Sequence, residues 1–276
     1  MKRSLHFGGR AVNLHVRGVV SRELVDFLFA CVPAHGTARG HITFSLEDCS
    51  NAGDLCFSIP GTQSPVARGT ASQVVPRLLY EVDYHLADRC RAGLYLHAAS
   101  LAREGQALLL PASSGSGKST LTYWLTRHGF HYLSDESTFI PLNSLECSGF
   151  SRPAHLKKGS LGLFPNLEFE PRLEVKEADE SLIGWLIGTA ALNVLPAVGV
   201  LPLKQIVFPR YRAGSALLYE RLSPARAAFE LAGCLTNARN LPEHGFSEIL
   251  RLARSLPAWR LDYSDVSQVG EFFAPG

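Results

Sequence analysis

The sequence predicts an α/β protein whose core is a strand, a glycine-rich loop and a helix, preceded by a smaller α+β lobe. Three observations favour this fold class. Hydrophobic residues make up 46% of the 276 residues and charged residues 19%, as in globular chains with a sizeable core. An apolar run, a Gly/Ser-rich loop and a helix-forming segment follow one another at residues 107–128. Short alternating runs with turn residues between them fill the first 70 residues.

Residues 1–90 are expected to form the smaller lobe. The runs AVNLHV and HITFSL alternate apolar and polar residues, which predicts two strands. Residues 22–31 predict a short amphipathic helix. Residues 71–90 predict a longer helix despite Pro76, because proline is tolerated near the start of a helix.

Residues 91–276 are expected to form the second domain, which holds the core unit. LYLHAASLA and ALLLPA predict two strands joined by a REGQ turn. Ser119–His128 predicts a helix that ends before Gly129, because glycine is favoured just beyond a helix C-terminus. HYLSDESTFI then predicts a strand, a polar break and a second strand.

The segments after residue 150 carry weaker signals. Residues 167–180 are rich in acidic side chains, which predicts a solvated excursion. The uncharged stretch 181–203 has the length of a membrane span, but its prolines, glycines and Asn193 favour a short helix, a loop and a core strand. Residues 204–210 predict a strand. Three further helices are predicted at Ser223–Cys234, Ser247–Leu256 and Val266–Phe273.

Charge and cysteine usage exclude several classes of protein. The net charge of +2 comes from 27 basic and 25 acidic side chains, without the clustered basic face of a nucleic-acid binder. The N-terminus lacks the apolar run of a signal peptide, so we expect a cytoplasmic protein with no membrane partner. The cysteines show neither a CxxC pair nor zinc-ligand spacing, which favours reduced thiols. They are Cys31, Cys49, Cys56, Cys90, Cys147 and Cys234.

The stretch ASSGSGKS matches the phosphate-loop pattern GxxxxGK[ST] except at its first position, Ala112. Gly115 and Gly117 permit positive φ angles, so that successive N–H groups can turn toward an anion. Lys118 adds a cation for the γ-phosphate, and the Ser119 hydroxyl is a candidate Mg²⁺ ligand. We therefore expect ATP to bind at Ser113, Ser114, Gly115, Ser116, Gly117, Lys118, Ser119 and Thr120.

A phosphate loop occurs in several classes of protein. ABC transporter ATPases carry a similar string, but they also need an LSGGQ signature and an apolar run ending in Asp-Glu, which this sequence lacks. Small GTPases need an NKxD-type motif for base recognition, which is also missing. The loop alone therefore does not name a reaction.

An acidic pair, Asp135-Glu136, follows one helix and one strand after Lys118. The C-terminal ends of such strands lie beside bound phosphates. One carboxylate there can hold Mg²⁺ and the other can accept a proton from an attacking hydroxyl. An acidic turn between two strands is the alternative. His97 lies in the strand before the loop, where a lone histidine is more often a hydrogen-bonded core residue.

The string from LHAAS to SDE, residues 96–136, resembles the nucleotide-binding core of the HPr kinase/phosphorylase family. His97, Lys118 and the pair Asp135-Glu136 match the family's histidine, P-loop lysine and acidic pair without a gap. Those enzymes are bifunctional, act on a serine of the small carrier protein HPr and share a P-loop architecture with PEP carboxykinase. The resemblance implies an α/β fold with a P-loop core of the HPr kinase/PEP carboxykinase type.

From about Leu94 onward the chain is similar to the subgroup called HPr-kinase-related kinase A, on KQIVFPRYRAG and LSPARAAFELAG. The resemblance implies an ATP- and Mg²⁺-dependent serine kinase, a small protein or peptide as acceptor, and a homo-oligomer. Ser119, from the phosphate-loop pattern, and Asp135, from the acidic pair, are the expected metal ligands. The resemblance also implies that Arg210 or Arg212 is the family's catalytic arginine. The catalytic set is then His97, Lys118, Asp135, Glu136 and Arg210.

The chain departs from the family pattern at two places. Glu136 stands where the family has the second aspartate of an Asp-Asp pair, so the roles of Asp135 and Glu136 stay open. The segment RPAHLKKGSLGLF lacks the family's metal-binding glutamate, which favours a kinase without phosphorylase activity and an acceptor other than HPr. An ATPase or small-metabolite kinase, and a non-catalytic ATP-binding module, are the alternatives.

Overall fold

The computed structural model describes residues 1–38, 40–51, 53–177, 179–195 and 199–274. The chain divides into two compact units. Unit 1 comprises Met1–Cys90 and Ser151–Ala191, and unit 2 comprises Arg91–Phe150 and Leu192–Gly276. Residues 151–191 thus belong to unit 1, although the sequence predicted them as part of a second domain over residues 91–276.

The helices are α1 (Val19–Phe29), α2 (Ala71–Ala87), α3 (Lys118–Thr126), α4 (Pro224–Ala232) and α5 (Phe246–Ser255). The strands of unit 1 are β1 (Lys2–Phe7), β2 (Arg10–Arg17), β3 (His41–Asp48), β4 (Leu55–Ser58), β5 (Ala67–Gly69), β11 (Ala154–Lys157), β12 (Arg172–Lys176) and β13 (Leu182–Ile187). Those of unit 2 are β6 (Gly93–Arg103), β7 (Gln106–Pro111), β8 (His131–Ser134), β9 (Ser137–Pro141), β10 (Glu146–Gly149), β14 (Leu201–Tyr211), β15 (Leu218–Arg221) and β16 (Ala258–Tyr263).

Unit 1 contains a five-stranded sheet in the order β1-β2-β3-β4-β5 and a three-stranded sheet in the order β11-β13-β12. The strands β2 and β3 are parallel, and α1 connects them. The alternation in β2 buries Val12, Leu14 and Val16 on one face, as the period of a strand requires. Residues 151–191 contribute Arg152 to this unit, and it forms a 3.1 Å ion pair with Asp83 of α2.

Unit 2 is built on an eight-stranded sheet in the order β10-β9-β6-β7-β14-β16-β15, with β8 pairing β6. The strands β7, β14 and β16 run parallel. Alternate residues of β14 enter two apolar clusters. Val207 packs with Leu121 and Leu125 of α3, whereas its neighbours pack with α4 and α5. Helix α3 therefore packs in one apolar cluster of unit 2, and α4 and α5 pack in the other.

Several predictions from the sequence are wrong in detail. The stretch 181–203 begins with β13, the central strand of the smaller sheet, rather than with a helix; its residues 196–198 lie outside the described residues. The acidic segment 167–180 contains β12, which pairs with β13. The predicted helix Val266–Phe273 is a 3-10 helix over Val266–Gly270. No strand was predicted from the sequence at β1, β4, β5, β10, β11, β15 and β16.

The cysteines also differ from expectation. Cys49 and Cys56 are joined by a disulfide in the β3–β4 hairpin. Cys90, Cys147 and Cys234 are buried free thiols, and Cys31 is free and partly exposed. Burial raises the pKa of Cys147 to about 12. In the described part of the chain, no helix combines the length and apolar character needed to cross a membrane.

Candidate active site

The segment from Ala112 to Gly117, called here the glycine loop, connects β7 to α3. Gly115 and Gly117 have φ angles of 87° and 85°, which L-residues rarely adopt. Gly117 is also sterically required, because a Cβ there would collide with the Tyr263 hydroxyl and lie 3.0 Å from Tyr211 Cβ. A Cβ at Gly115 would meet nothing within 4 Å. Conformation alone therefore demands glycine at 115, and both conformation and space demand it at 117.

Two neighbouring strands anchor the carbonyl groups of the glycine loop. The Tyr211 N–H donates to the Ser116 carbonyl at 2.8 Å, and the Tyr263 hydroxyl donates to the Gly117 carbonyl at 3.0 Å. Both residues end their strands, β14 and β16, which run parallel to β7. Because parallel strands end at the same edge of the sheet, they reach the loop that follows β7. Burial raises the pKa of Tyr263, so its hydroxyl stays a donor at neutral pH.

Four of the predicted catalytic residues form one group, the Lys118 cluster: His97, Lys118, Asp135 and Glu136. The Lys118 ammonium donates to the Asp135 backbone carbonyl and lies 3.7 Å from Asp135 Oδ1. It lies 3.9 Å from Glu136 Oε2. Glu136 Oε1 in turn lies 2.9 Å from His97 Nδ1. The structure thus joins residues from β6, α3 and the β8–β9 turn into one chain of charged and polar contacts.

Backbone hydrogen bonds shape the turn that carries the two acids. The Ser134 hydroxyl accepts from the N–H groups of Glu136 and Ser137, at 3.2 and 3.0 Å. It donates to the Phe150 carbonyl. A serine that bonds backbone two and three residues ahead stabilises a tight turn. The register that pairs His97 with Ser137 then brings the histidine beside Glu136.

The Lys118 cluster has a buried half and an accessible half. The side chains of Lys118 and Asp135 are 5% and 3% exposed, whereas those of His97 and Glu136 are 30% and 35% exposed. Burying a charged group is costly unless it is paired, so the contact between Lys118 and Asp135 offsets part of that cost. Glu136 and His97 are the members of the cluster that another molecule can reach.

Cys234 lies behind His97, whose backbone N–H donates to the Cys234 carbonyl at 2.8 Å. Burial raises the pKa of the Cys234 thiol to about 11, with a small opposing effect of Lys118. The thiol is therefore neutral near pH 7. A neutral thiol is a weak nucleophile. Cys234 therefore contributes to the site through its backbone carbonyl, which accepts from the His97 N–H, rather than as a reacting group.

The predicted arginine, Arg210, does not contact the Lys118 cluster through any ion pair within the described residues. Its Nε lies 3.4 Å from Asp262 Oδ1, and Arg212 Nε lies 3.4 Å from Asp262 Oδ2. Tyr211, between the two arginines, bonds to the glycine loop. The alternatives Arg210 and Arg212 are therefore not separated by geometry, because both share one carboxylate.

The predicted ATP-binding and metal-binding residues lie around the start of α3. Ser113, Ser114 and Gly115 are exposed, while Ser119 and Thr120 are partly buried in the first helical turn. The Ser116 hydroxyl is buried and has no hydrogen-bond partner among the described residues. Such a group fits a loop that binds a polar ligand. No set of three or more His, Cys, Asp or Glu side chains within the described ranges could hold a metal ion.

Sequence reasoning missed Tyr211, Asp262, Tyr263 and Ser134. The signal for β16 was present, because AWRLDY alternates apolar and charged residues with the period of a strand. The signal for Ser134 was its place before an acidic turn. The link from β16 to the glycine loop has no local signal, since it joins residues far apart in the chain.

No protein-family model matches the chain, and no curated protein matches it. Among solved structures, the HPr(Ser) kinase/phosphatase from Coxiella burnetii is similar over 64% of this chain and 95% of that chain. The sequence identity is 8% and the TM-score is 0.30. At these values the similarity adds no support for a particular activity or site residue in this chain.

Proposed function

We propose that this protein is an ATP-dependent kinase that transfers a phosphoryl group to a hydroxyl, most simply a serine of a small protein or peptide. The observation that carries the proposal is the Lys118 cluster at the end of the glycine loop. There a buried ammonium lies 3.7 and 3.9 Å from two carboxylates, and a histidine lies 2.9 Å from the more accessible one. Phosphoryl transfer depends on positioning and charge stabilisation, which are what such a group supplies.

The glycine loop and α3 supply the groups that suit the phosphates of ATP. The loop precedes a helix N-terminus, where backbone N–H groups and the helix dipole favour an anion. The buried Ser116 hydroxyl provides a further polar group. The phosphate-loop pattern, with its lysine at position 118, supports ATP as the donor substrate.

The different burial of the two acids favours different roles for them. Asp135 is 3% exposed and close to Lys118, so it has little access to an acceptor. Glu136 is 35% exposed, and His97 Nδ1 holds one of its oxygens. We therefore assign Glu136 as the base that takes the proton from the acceptor hydroxyl and His97 as the residue that orients it. This choice replaces the open assignment that the sequence left.

In this scheme a magnesium ion would be held by Ser119 and Asp135 together with the phosphates of ATP. Ser119 and Asp135 provide the hard oxygen ligands that Mg²⁺ prefers, and two protein ligands suffice when phosphates and waters complete the shell. When bound, the ion neutralises charge on the transferred phosphate. Asp135 then has two tasks in this scheme, as a metal ligand and as the counterion of Lys118.

The acceptor is the part of the proposal that rests on sequence resemblance alone. The test is transfer from γ-labelled ATP with Mg²⁺ in a lysate of the source cell. Lys118→Met, shown to be folded by circular dichroism, is the control, because it keeps the side-chain length and removes the charge. A labelled protein or peptide that disappears with Lys118→Met supports the proposal. Labelled inorganic phosphate or metabolite alone would indicate an ATPase or a small-molecule kinase, and ATP binding without transfer would indicate a regulatory module.

Glu136→Gln tests the assigned base. On the proposed scheme it binds ATP as tightly as the unchanged protein and transfers phosphate on the order of 10²-fold more slowly or worse. An unchanged transfer rate in Glu136→Gln would refute Glu136 as the base while leaving the kinase activity itself intact.

A further inference from the structure

The C-terminal ends of β14 and β16 hold two arginines on one carboxylate. Arg210 and Asp262 are direct partners in the parallel ladder, and Arg212 follows two residues later on the same side of the chain. Both guanidinium groups approach Asp262 through Nε, at 3.4 Å, one to each carboxylate oxygen. Asp262 is thus the shared partner of two cations.

From this arrangement we propose that Asp262 is a positioning residue, which holds Arg210 and Arg212 together as a single anion-binding pair for the phosphoryl group in transfer. The inference rests on the proposed function. It extends that function from the Lys118 cluster to a second strand pair, and it assigns a task to a residue that the sequence did not single out.

The first argument is proximity to the glycine loop. Tyr211, between the two arginines, donates its N–H to the Ser116 carbonyl at 2.8 Å. Tyr263, the residue after Asp262, donates its hydroxyl to the Gly117 carbonyl at 3.0 Å. Each member of the arginine–aspartate group is therefore one residue away from a residue that touches the loop.

The second argument is charge. Two guanidinium groups at adjacent positions on one side of a strand repel each other, and a carboxylate between them offsets that repulsion. One carboxylate cannot neutralise both, so the group keeps a net positive charge. An anion is the ligand that such a group favours.

The third argument is donor geometry and access. The contacts to Asp262 engage Nε, while each guanidinium carries further N–H donors on its terminal nitrogens. The Asp262 side chain is 15% exposed, whereas those of Arg210 and Arg212 are 36% and 54% exposed. Each arginine can thus stay tied to Asp262 and still donate to a phosphate from outside.

Asp262 could instead serve only to join β14 to β16, and one residue offers a matched control for that role. Arg260 lies two residues earlier on β16 and forms ion pairs with Glu230 of α4 at 2.9 Å and with Glu220 of β15 at 3.3 Å. Glu230→Gln removes one carboxylate partner of an arginine on the same strand as Asp262. It is expected to leave phosphate transfer unchanged.

The test combines kinetics with nucleotide affinity. Asp262→Asn keeps the side-chain shape and removes the charge, and we expect its kcat for transfer to fall on the order of 10²-fold with its fold intact by circular dichroism. We also expect its preference for ATP over ADP to fall about tenfold, because the pair contacts the γ-phosphate. Asp262→Glu, which keeps the charge, should retain more of the kcat and more of the preference for ATP over ADP than Asp262→Asn does.

A double-mutant cycle separates positioning from direct action. If Asp262 acts through the arginines, Asp262→Asn added to Arg210→Gln and Arg212→Gln should lower kcat no further. Additive losses, or an Asp262→Asn protein with unchanged kcat and ATP/ADP preference, would overturn the inference. If the unchanged protein transfers no phosphate, the proposed kinase fails, and the ATP/ADP preference of Asp262→Asn still decides the role of the pair.

Discussion

The Tyr263 hydroxyl donates a 3.0 Å hydrogen bond to the backbone carbonyl of Gly117. The two residues are 146 positions apart in the chain. The same hydroxyl occupies the space that a Cβ at Gly117 would need. One contact therefore explains both the shape of the glycine loop and the residue at its last position.

Tyr263→Phe keeps the ring and removes the donor. We expect a loss of about 0.5–1.5 kcal/mol in the free energy of unfolding of unit 2, because the Gly117 carbonyl loses the Tyr263 donor and keeps only the Leu121 N–H. We also expect weaker ATP binding, since the end of the loop is no longer held. Chemical denaturation measures the stability, and nucleotide titration measures the ATP affinity. Equal ATP affinity in the unchanged protein and Tyr263→Phe would show that this hydrogen bond is not needed for ATP binding.

Gly117→Ala and Gly115→Ala form a matched pair. Both place a Cβ at positive φ, which costs about 1 kcal/mol, but only the substitution at 117 meets the Tyr263 hydroxyl. Gly117→Ala should therefore be the less stable protein and the poorer ATP binder. Similar melting temperatures for the two variants would show that the loop yields to the added methyl group.

Lys118→Met should destabilise the protein by about 3–5 kcal/mol, because it removes the buried ammonium that lies 3.7 Å from the buried Asp135 carboxylate. Replacing both residues, as Lys118→Met with Asp135→Asn, should recover much of that loss. Urea unfolding of the two variants measures it. A double variant as unstable as the single one would mean that the two charges do not depend on one another.

Asp48 makes the stability of unit 1 depend on pH. Its carboxylate accepts from the N–H groups of Val20 and Ser21 and from the Ser21 hydroxyl, at the start of α1. Partial burial acts to raise the pKa of Asp48, but the hydrogen bonds from Ser21 and Val20 outweigh it and lower the pKa below its ordinary 3.8. The stabilisation is thus complete above that value and is lost as the pH falls through the lower, folded-state pKa.

Asp48→Asn should remove this acid dependence, and Asp48→Ala should cost about 1 kcal/mol at neutral pH, as for other helix N-terminal acceptors. Melting curves of unchanged and variant proteins between neutral and strongly acidic pH make the comparison. If the difference in melting temperature between the unchanged protein and Asp48→Asn stays constant down to the lowest pH, the acid dependence does not come from Asp48.

The Cys49–Cys56 disulfide predicts sensitivity of unit 1 to reducing agents. Closing a loop with a sequence separation of 7 stabilises a fold by about 2–3 kcal/mol in the chain-entropy model. Cys56→Ser should lower the melting temperature of unit 1 and abolish its response to reductant. Cys31→Ser, at a free cysteine, is the control. Free thiols detected at both Cys49 and Cys56 in the protein kept without reductant would contradict the disulfide.

Local patterns predicted the parts of the fold whose signals lie within a few residues. The order of β6, β7, the glycine loop, α3, β8 and β9 follows from apolar runs, a glycine loop and a helix-ending Gly129, all neighbours in sequence. The wrong predictions lie in segments whose structure depends on contacts with residues distant in the chain. The segment of β13 is apolar on both faces because it is a central strand, and an uncharged run of that kind does not distinguish a strand from a helix.

The candidate site divides in the same way. The sequence predicted Lys118, Asp135 and Glu136 from residue type and spacing, and it predicted His97 from the family resemblance. Their distances could not be predicted in this way, because the contact of Glu136 with His97 depends on the register of β6 against β9. The different accessibility of the two acids, which supports the roles proposed for them, also depends on how the sheet covers them.

By itself, the sequence determined the glycine loop, the lysine and acids that follow it, and the order of the surrounding strands, because each has a local pattern. Only the tertiary structure decided that residues 151–191 belong with unit 1 and that Asp262 and Tyr263 lie beside the loop. Those relationships arise from the pairing of strands distant in the chain. Such pairing is chosen by the burial and hydrogen bonding of the whole sheet, and no short stretch of sequence contains it.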